Sequence, residues 1–518
     1  MIHGDVLGER SRLSPNKEAL ICVPSGMRLT YAELNDRAIR CARFFAQQCG
    51  LEKGDRVGIL AKNRVEFLDA FFAAGKSGVI LVPLNTRLTP AELGVILKDS
   101  GAKALLYDGE SAAKVRNLKQ ENSLAHWIAL DDPVDASDLS YANGLTQVSL
   151  SSAGWTAQRC LPEDIYCLLY TSGTTGKPKG VKIPHRMVSW NGYNTATCWQ
   201  LREEDVSPVF TPLYHAGGLA AFLVPIFVAG GTIVLHREFD AAEVWRTIER
   251  QRCTVMLGVP TIYKMLAEAP EFEHADLSHV RWFISGGAPL SVELIEIFRK
   301  RGVVLRQGYG LTEVGVNCFS MSSEESIRKA GSIGKPMMFT EARIADADGR
   351  EVSCGEGGEL WLRGPHVCSG YWNNPEATDA ALDAKGWFHT GDIARRDAEG
   401  FFYIVGRSKD MFISGGVNVY PAEIEAELLK HPGVCDAAVI GVSHPKWGEV
   451  GVAFLVAKGV DPPASEELTD FLAAQLAKYK IPQQFIFVQH LPRTAYGKVV
   501  KGQLQKLFQD ALVGVRQQ

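Results

Sequence analysis

Residues 170–181 read Tyr-Thr-Ser-Gly-Thr-Thr-Gly-Lys-Pro-Lys-Gly-Val. Thr171, Ser172, Thr174 and Thr175 bring hydroxyls, Gly173, Gly176 and Gly180 bring glycines, and Lys177 and Lys179 bring cations into one short loop. Glycine lets the backbone approach an anion closely and adopt positive φ. Successive amide N–H groups then form an anion-binding concavity, while the hydroxyls donate and the lysines neutralise. This is the chemistry of a polyphosphate cradle. It is not a Walker A loop: Lys177 is followed by Pro178 rather than Ser or Thr, and position 171 is Thr where that loop needs its first Gly. Pro178 also forbids tight entry into a helix. The preceding run Ile165-Tyr166-Cys167-Leu168-Leu169-Tyr170 predicts a buried strand that delivers the loop to a cleft.

Four further blocks follow in order. They are Gly308-Tyr309-Gly310-Leu311-Thr312-Glu313, Gly386-Trp387-Phe388-His389-Thr390-Gly391-Asp392, Gly406-Arg407-Ser408-Lys409-Asp410 and Pro492-Arg493-Thr494-Ala495-Tyr496-Gly497-Lys498. Together with the loop they resemble the adenylate-forming superfamily of acyl-CoA synthetases, peptide-synthetase adenylation domains and beetle luciferases. The resemblance covers nearly the whole chain.

Forming an acyl adenylate means holding ATP, neutralising the departing pyrophosphate, aligning a carboxylate with the α-phosphorus and stabilising the charge of attack. Positioning and electrostatics dominate such a reaction. The resemblance assigns residues 171–179 (Thr171, Ser172, Gly173, Thr174, Thr175, Gly176, Lys177 and Lys179 among them) to the β- and γ-phosphates. Tyr309 is a flat surface suited to adenine, with a core aromatic as its bland alternative, and Gly286-Gly287-Ala288 makes a second close-approach wall. Thr312 offers a hydroxyl to the α-phosphate and Glu313 a carboxylate to Mg²⁺, a cation that favours hard oxygen ligands and substrate phosphates.

Asp392 is read as ending a glycine-flanked turn, where its carboxylate meets both ribose hydroxyls; Arg407 is assigned the same ribose end. Lys498 is implied to bridge the substrate carboxylate and the nucleotide. Ser414, Gly415 and Gly416 are implied to line the pantetheine arm of CoA. In Thr211-Pro212-Leu213-Tyr214-His215-Ala216-Gly217-Gly218, His215 is implied beside the carboxylate and α-phosphate, while its bland alternative is a satisfied core histidine. Tyr214, Gly217, Gly218, Gly286 and Gly308 are expected to shape the acyl pocket. Some long-chain ligases carry a gating Trp shortly after the His; Leu219 stands there, which argues against a gated tunnel.

Bulk properties fit an enzyme. The chain has 518 residues, 46% hydrophobic and 22% charged, with formal net charge −4 and a pI near 6.3. Its length suggests about three folding units, and its balance of charge gives no sign of a general nucleic-acid binder. Eleven cysteines without a C-x-x-C pair argue against a disulfide framework or zinc ribbon and for a reducing cytoplasm. Residues 1–15 lack the apolar stretch of a signal peptide. The greasy segment 219–235 is broken by Pro225 and Gly230-Gly231, so it reads as buried helix, turn and strand rather than a membrane span. Peripheral membrane contact and oligomerisation stay open.

The elements that position these residues alternate. Strands are predicted at 56–61, 79–84 and 104–107. Helices are predicted at 66–74 and from the capping box Thr89-Pro90-Ala91-Glu92 to Lys98. The pattern recurs with a helix from Asp240 to Arg250 and strands at 255–259 and 281–287. Such alternation means βαβ units and a largely parallel sheet. Beyond about residue 330, short alternating strands such as 358–364 and 400–405 suggest a small β-rich subdomain. A separate α+β unit is expected from a helix at Pro421, a strand at 437–441 and a helix at 464–478. The expected fold is therefore α/β: an N-terminal adenylation domain over 1–406, and a C-terminal domain over 407–518 that the resemblance makes mobile about a hinge at Lys409.

The reading is an ATP- and Mg²⁺-dependent carboxylic acid:CoA ligase, with a medium- to long-chain fatty acid first and an aryl acid (cinnamate-, benzoate- or succinylbenzoate-like) second. A peptide-synthetase module would need a carrier domain, for which a chain ending at Gln518 leaves no room; a stand-alone enzyme loading a separate carrier stays open. Motifs do not exclude a luciferase-like oxygenase. A catalytically dead nucleotide binder is disfavoured by the presence of Lys498, Glu313, Asp392 and Arg407. An NAD-binding loop is disfavoured because Gly308-Tyr309-Gly310 continues to Glu313 where a third Gly or Ala is required.

Overall fold

The computed structural model describes residues 4–23, 25–148, 159–172, 178–415, 417–493 and 499–516. Gly173, Thr174, Thr175, Gly176, Lys177, Gly416 and Lys498 lie outside the described residues, as does the side chain of Ser172.

The alternation of apolar runs and amphipathic stretches builds three mainly parallel sheets. In the largest, the strands Leu139–Ser140, His126–Ala129, Ala104–Tyr107, Arg56–Leu60, Ile80–Pro83, Ile165–Ser172 and Pro178–Pro184 lie side by side in that order. Only the last pair is antiparallel, being the two strands on either side of residues 173–177. A second sheet joins Val206–Val209, Thr232–His236, Glu18–Val23 and Arg28–Thr30, and a third joins Val255–Gly258, Trp282–Ser285 and Leu305–Gln307. Strands such as Ile80–Pro83 and Thr232–His236 are buried at every position. Continuous burial is what an apolar run without alternation implies for a parallel strand covered on both faces.

The capping box forms in both directions. Thr89 accepts from the Glu92 N–H at 3.3 Å, the Glu92 carboxylate accepts from the Thr89 N–H at 2.8 Å, and left-handed Gly101 (φ 62°) closes the helix Pro90–Ser100. The helix Val65–Ser77 runs longer than the predicted 66–74, and of its residues only Glu66 is not buried. A helix apolar all round belongs in a core, and this one carries Asp69 and Lys76 inside with it. Lys76 Nζ reaches the Asp5 carboxylate at 2.8 Å and Asn35 Oδ1 at 2.6 Å. Burial pushes the Asp69 carboxyl up to about 6 against the pull of Arg37. Its charge is matched by Arg37 (Nη2 at 2.6 Å) and by the Tyr141 hydroxyl at 3.1 Å.

The segment after His215 is more irregular than the expected helix, turn and strand. A short turn, Ala216–Gly218, runs into a wide π turn, Leu219–Leu223, and then the helix Val224–Ala229, with left-handed Gly230 (φ 91°) ahead of the strand Thr232–His236. Pro225 explains this. It has no N–H for the carbonyl one turn back and its ring crowds that carbonyl, which widens the turn. Two buried asparagines take up the displaced carbonyls: Asn317 donates to Ala221 O at 2.7 Å and Asn191 to Ala220 O at 2.5 Å.

Beyond the parallel sheets lies an antiparallel one of four strands, Glu341–Ala345, Gly357–Arg363, Phe388–Arg396 and Phe402–Arg407. The expected β-rich subdomain is therefore present. The rest of the chain builds around the long hairpin of Val434–His444 and Gly448–Ala457. The helix Pro421–Leu428 packs on that hairpin, and the second helix is shorter than expected, Ser465–Ala473, giving way to a 3₁₀ turn at Lys478–Lys480. Buried clusters of this last unit begin at Phe412, while those of the parallel and antiparallel sheets end at Phe402. No helix of the described residues is long and apolar enough to cross a membrane, and all eleven cysteines are free thiols.

Replacing Arg37 by Leu leaves the fully buried Asp69 with a hydroxyl alone. Breaking a buried pair from one side costs about 3–5 kcal/mol. We expect a clear drop in melting temperature for Arg37→Leu and substantial recovery in the double variant Arg37→Leu/Asp69→Asn, measured by calorimetry. An unchanged melting temperature in the single variant would show the pair to be dispensable.

Candidate active site

Parallel strands deliver their C-terminal ends to one edge, and in open α/β sheets ligands bind outside that edge. The three strands of the third sheet end at Gly258, Ser285 and Gln307, and Gly286-Gly287-Ala288 and Gly308-Tyr309-Gly310 follow immediately. The Gly286 N–H donates to Gly258 O at 3.0 Å and the Gly308 N–H to Ser285 O at 2.7 Å, so both turns start bonded to a neighbouring strand end. A Cβ on Gly286 would meet nothing within 4 Å, and one on Gly308 would touch only Ile284 and Ser285 at ordinary distance. Both glycines leave open backbone.

Gly310 is required for a different reason. A Cβ there would lie 2.1 Å from the Val316 carbonyl oxygen. The chain folds back on itself at this point, with the Cys318 N–H bonded to Tyr309 O at 3.0 Å. That fold sets Thr312 and Glu313 in a 3₁₀ turn, Thr312–Val314, closed by left-handed Gly315 (φ 87°).

Tyr309 is half-buried and held at both ring and hydroxyl. Its ring meets Phe319 edge-on at 5.6 Å, and its hydroxyl donates to Asp392 Oδ2 at 2.6 Å. Burial and the Asp392 charge push its phenol well above the ordinary range. Asp392 does not end a turn as expected but sits inside the strand Phe388–Arg396, one residue after left-handed Gly391 (φ 69°) and in register with Arg407. The bulge that makes the sequence look like a turn is flanked by pairing on both sides. The Asp392 carboxylate is buried, and its Oδ1 lies 2.9 Å from Arg407 Nε. Tyr309, Asp392 and Arg407, distant in sequence, thus form one corner.

Glu313 Oε1 accepts from the Tyr371 hydroxyl at 3.1 Å. Lys179 Nζ lies 5.3 Å from the centre of the same Tyr371 ring. Segment 370–372 reaches this place by bonding to the strand that carries Lys179: Lys182 N–H to Gly370 O at 2.9 Å and Trp372 N–H to Gly180 O at 2.7 Å. On the facing strand Thr171 is in register with Lys179. Tyr371 therefore joins the described arm of the phosphate hairpin to Glu313. Sequence reasoning missed it, since a single Tyr in a loop carries no periodic or compositional signal.

His215 follows the strand Val206–Val209 and is held from behind by Asn63, a buried residue that donates to Thr211 O at 3.0 Å and to His236 O at 3.1 Å and accepts from the Leu213 N–H at 2.8 Å. His215 Nδ1 accepts from the Gly217 N–H at 3.2 Å and caps the following turn. An imidazole that accepts at Nδ1 carries its hydrogen on Nε2, so the ring is set as a donor at Nε2. Tyr214 is half-buried, and burial raises its phenol.

Gly218 is not the pocket wall expected from sequence. Its missing side chain faces the Pro212 carbonyl oxygen, where a Cβ would lie at 2.3 Å. The neighbouring residues line a narrow apolar pocket instead: Ala216, Leu219, Ala220 and Val224, together with Leu169, Met187, Thr312 and Val316. Leu219, at the expected gate position, is part of this wall and fully buried. Asn191 also lines it; its Oδ1 is buried and has no hydrogen-bond partner among the described residues. Tyr214 lines a second cleft, with Lys62, Arg87 and Arg237.

On the C-terminal side, Ser414 and Gly415 lie at the tip of the hairpin formed by Phe412–Ser414 and Val417–Val419. Gly415 is left-handed (φ 58°), donates to Trp447 O at 2.9 Å, and brings its backbone so near the Trp447 ring that a Cβ would sit 3.3 Å away. Lys409 is exposed in the 3₁₀ turn Ser408–Asp410 directly after Arg407.

Because Gly218 faces backbone, Gly218→Ala tests the turn that holds His215. Overpacking of this kind costs about 1–3 kcal/mol. We expect a lower melting temperature and an equal proportional loss of activity with every acid, measured as pyrophosphate release. A loss confined to long or bulky acids would return Gly218 to the pocket wall.

Comparison with known proteins places the chain in a family. Residues 7–372 match the model of the AMP-binding enzyme family and residues 423–498 that of the AMP-binding enzyme C-terminal domain. A feruloyl-CoA synthase from Amycolatopsis is 39% identical over 499 residues, 96% of this chain and 97% of that protein. The long-chain-fatty-acid–CoA ligase FadD13 of Mycobacterium tuberculosis is 38% identical over 508 residues, 98% of both. The crystal structure of ATP-bound MatB from Rhodopseudomonas palustris superposes with a TM-score of 0.89 at 31% identity, covering 98% of this chain and 99% of the other. The chain belongs to the AMP-binding enzyme family and is an acid:thiol ligase of the acyl- or aryl-CoA ligase type.

Proposed function

We propose that the chain activates a medium- to long-chain fatty acid with ATP and passes the acyl group to CoA. The observation that carries the choice of acid is the apolar lining of the narrow pocket beside Thr312, formed by Phe71, Leu169, Ile183, Met187, Leu219 and Val224, which a bound chain would widen. An alkyl chain gains from burial in such a lining. The acid's carboxylate oxygen attacks the α-phosphorus of ATP, the bond to the β-phosphate oxygen breaks and pyrophosphate leaves. The CoA thiol then attacks the acyl carbonyl, the bond to the AMP oxygen breaks, and AMP and a proton are released.

The corner of Tyr309, Asp392 and Arg407 supports a ribose site, with a buried carboxylate fixed to accept from sugar hydroxyls. Thr312, beside the cavity, would meet the α-phosphate, and Thr171, Lys179 and the loop between them the β- and γ-phosphates. Among the described residues no three His, Cys, Asp or Glu side chains gather as a metal cage. A Mg²⁺ ion would thus be held by Glu313 together with substrate phosphates, an arrangement that suits this cation; when bound it neutralises phosphate charge. Tyr371 would keep the Glu313 carboxylate turned toward that place. His215, donating from Nε2, would steady the acid's carboxylate, and Lys498 would supply the cation at the point of attack.

The break between buried clusters at 402 and 412 supports a division into domains 1–406 and 407–518, with Lys409 as the hinge between the two half-reactions. Ser414, Gly415 and Gly416 would then meet the pantetheine arm. Eleven free thiols favour a reducing compartment such as the cytoplasm.

A second reading, an aryl acid, is favoured by one feature: the unmatched Asn191 Oδ1 in the cavity wall would accept from a phenolic hydroxyl, and one relative is a feruloyl-CoA synthase. Pyrophosphate release with octanoate to palmitate, cinnamate and ferulate, each with and without CoA, decides between them. On the fatty-acid reading the alkyl acids lead. On the aryl reading ferulate should exceed unsubstituted cinnamate by about 10²-fold or more, because a site built for a hydroxyl rejects the analogue lacking it. Activity with amino acids alone would overturn both.

Two substitutions separate the half-reactions. Lys498→Ala should lower pyrophosphate release by about 10²–10³-fold, the usual cost of one preorganised donor, while supplied acyl-AMP and CoA still yield thioester. Lys409→Pro, which fixes φ near −65° at the turn, should keep pyrophosphate release and lose most thioester formation. Normal pyrophosphate release by Lys498→Ala, or full retention of both steps by Lys409→Pro, would remove the respective assignment.

A further inference from the structure

The strand Gly357–Arg363 carries a carboxylate that the sequence motifs leave without a task. Glu359 pairs with Ile393, and Trp361 pairs with His389, across the boundary between Gly357–Arg363 and Phe388–Arg396. One residue, Leu360, therefore faces three, residues 390–392. Such a bulge bends its strand and re-aims the side chains in it, and its unpaired backbone groups must find other partners. Here side chains provide them. Glu359 Oε1 accepts from the Gly391 N–H at 2.9 Å. Thr390 donates to Leu360 O at 2.6 Å and accepts from the Asp392 N–H at 3.1 Å.

Glu359 is itself fixed. Its Oε2 accepts from Trp361 Nε1–H at 2.9 Å. The Trp361 ring stacks on His389 at 3.8 Å and 12°, and the Arg343 guanidinium lies 4.2 Å from its centre. Two N–H donors thus converge on one carboxylate whose neighbours are packed in place. Gly391 must be left-handed (φ 69°) although a Cβ there would meet nothing within 4 Å. Backbone conformation rather than space demands glycine at 391, and the bond from Glu359 holds that conformation. The next residue is Asp392, aimed at Tyr309 and Arg407.

We propose that Glu359 is a positioning residue for nucleotide-sugar recognition: by bracing Gly391 it fixes the bulge that presents Asp392, and so sets how strongly the enzyme prefers ATP to its deoxy analogues. The inference rests on the ribose reading of Asp392. A carboxylate is needed at 359 because Gln would turn an N–H₂ toward one of the two donors.

The test is kcat/KM for pyrophosphate release with ATP, 2′-deoxy-ATP and 3′-deoxy-ATP. Misplacement of a positioned group by about an ångström costs up to about 10²-fold, so Glu359→Gln should lower the preference for ATP over the deoxy analogues by about tenfold or more. The KM for the acid should not move and kcat at saturating ATP should hold within a few-fold. Trp361→Phe keeps the ring but removes the second donor, and should shift the preference in the same direction by less. It also decides the matter should Glu359→Gln fail to fold. Asp392→Asn separates the two readings. If it leaves the preference intact, the ribose site is wrong and the inference falls with it. If Asp392→Asn abolishes the preference while Glu359→Gln and Trp361→Phe keep the unaltered value, the ribose site stands and Glu359 has no positioning role.

Discussion

A carboxylate that is only 3% exposed must have its charge answered from within the protein, and the answer to Asp392 ties distant parts of the chain together. Tyr309 comes from the loop that ends a parallel strand, Arg407 from the last residue of the antiparallel sheet, and Asp392 itself from a bulge in the strand between. A buried ion left without partners is far more costly than an exposed one. The three segments are therefore held at one distance, and any shift of one is felt by the other two. The loop that carries Tyr309 also carries Thr312 and Glu313, so the same corner locates these two residues as well.

A second constraint acts on the acid side. Parallel strands place their C-terminal ends together, but the residues that leave those ends still need their backbone groups satisfied. Asn63 does this for the chain entering His215, and Asn317 and Asn191 do it where Pro225 has opened the following helix. Their amides hold a turn that has no regular ladder of its own. The wide turn keeps Leu219 and Ala220 against the cavity rather than in a regular helical face. The irregularity that blurs the sequence pattern is what shapes the pocket.

The parts legible in the sequence are those fixed by neighbours in the chain. The strands at 56–60, 80–83 and 104–107 follow from apolar runs of the right length, the Thr89–Glu92 capping box from four adjacent residues, and the strand that leads to residue 172 from the apolar run 165–170. What escaped the sequence depends on residues far apart. Nothing near Gly218 says that its open side faces Pro212, since that is decided by the fold of the turn. Nothing near Gly391 distinguishes a bulge inside a strand from a turn at its end, because the deciding carboxylate is Glu359. Tyr371 meets Glu313 only because residues 370–372 bond to the strand of Lys179. Long-range contacts of this kind leave no mark in a single sequence.

The junction after Arg407 gathers these constraints at one place. Arg407 is anchored by Asp392, and the Met411 N–H bonds to Arg407 O at 3.0 Å, so the chain is fixed on both sides of an exposed turn of three residues. Contacts across the junction include Lys458 with Glu293 at 3.6 Å, both side chains more than half exposed, and Lys264 with Cys435 at 3.2 Å. The exposed Lys458–Glu293 pair contributes about 0–1 kcal/mol; closer packing lies beside the turn, where the helix Pro421–Leu428 meets the strand Phe402–Arg407 and Tyr420 lies against Gly406, and a rotation of the C-terminal unit would have to exchange that packing. On the proposed reading, rotation about residues 408–410 would leave the ribose corner intact, because Arg407 stays with Asp392 while everything beyond it turns. The nucleotide would remain held at its sugar while the C-terminal unit exchanges one face for another above it. A two-step reaction on a single bound nucleotide requires that separation of a fixed corner from a movable cover.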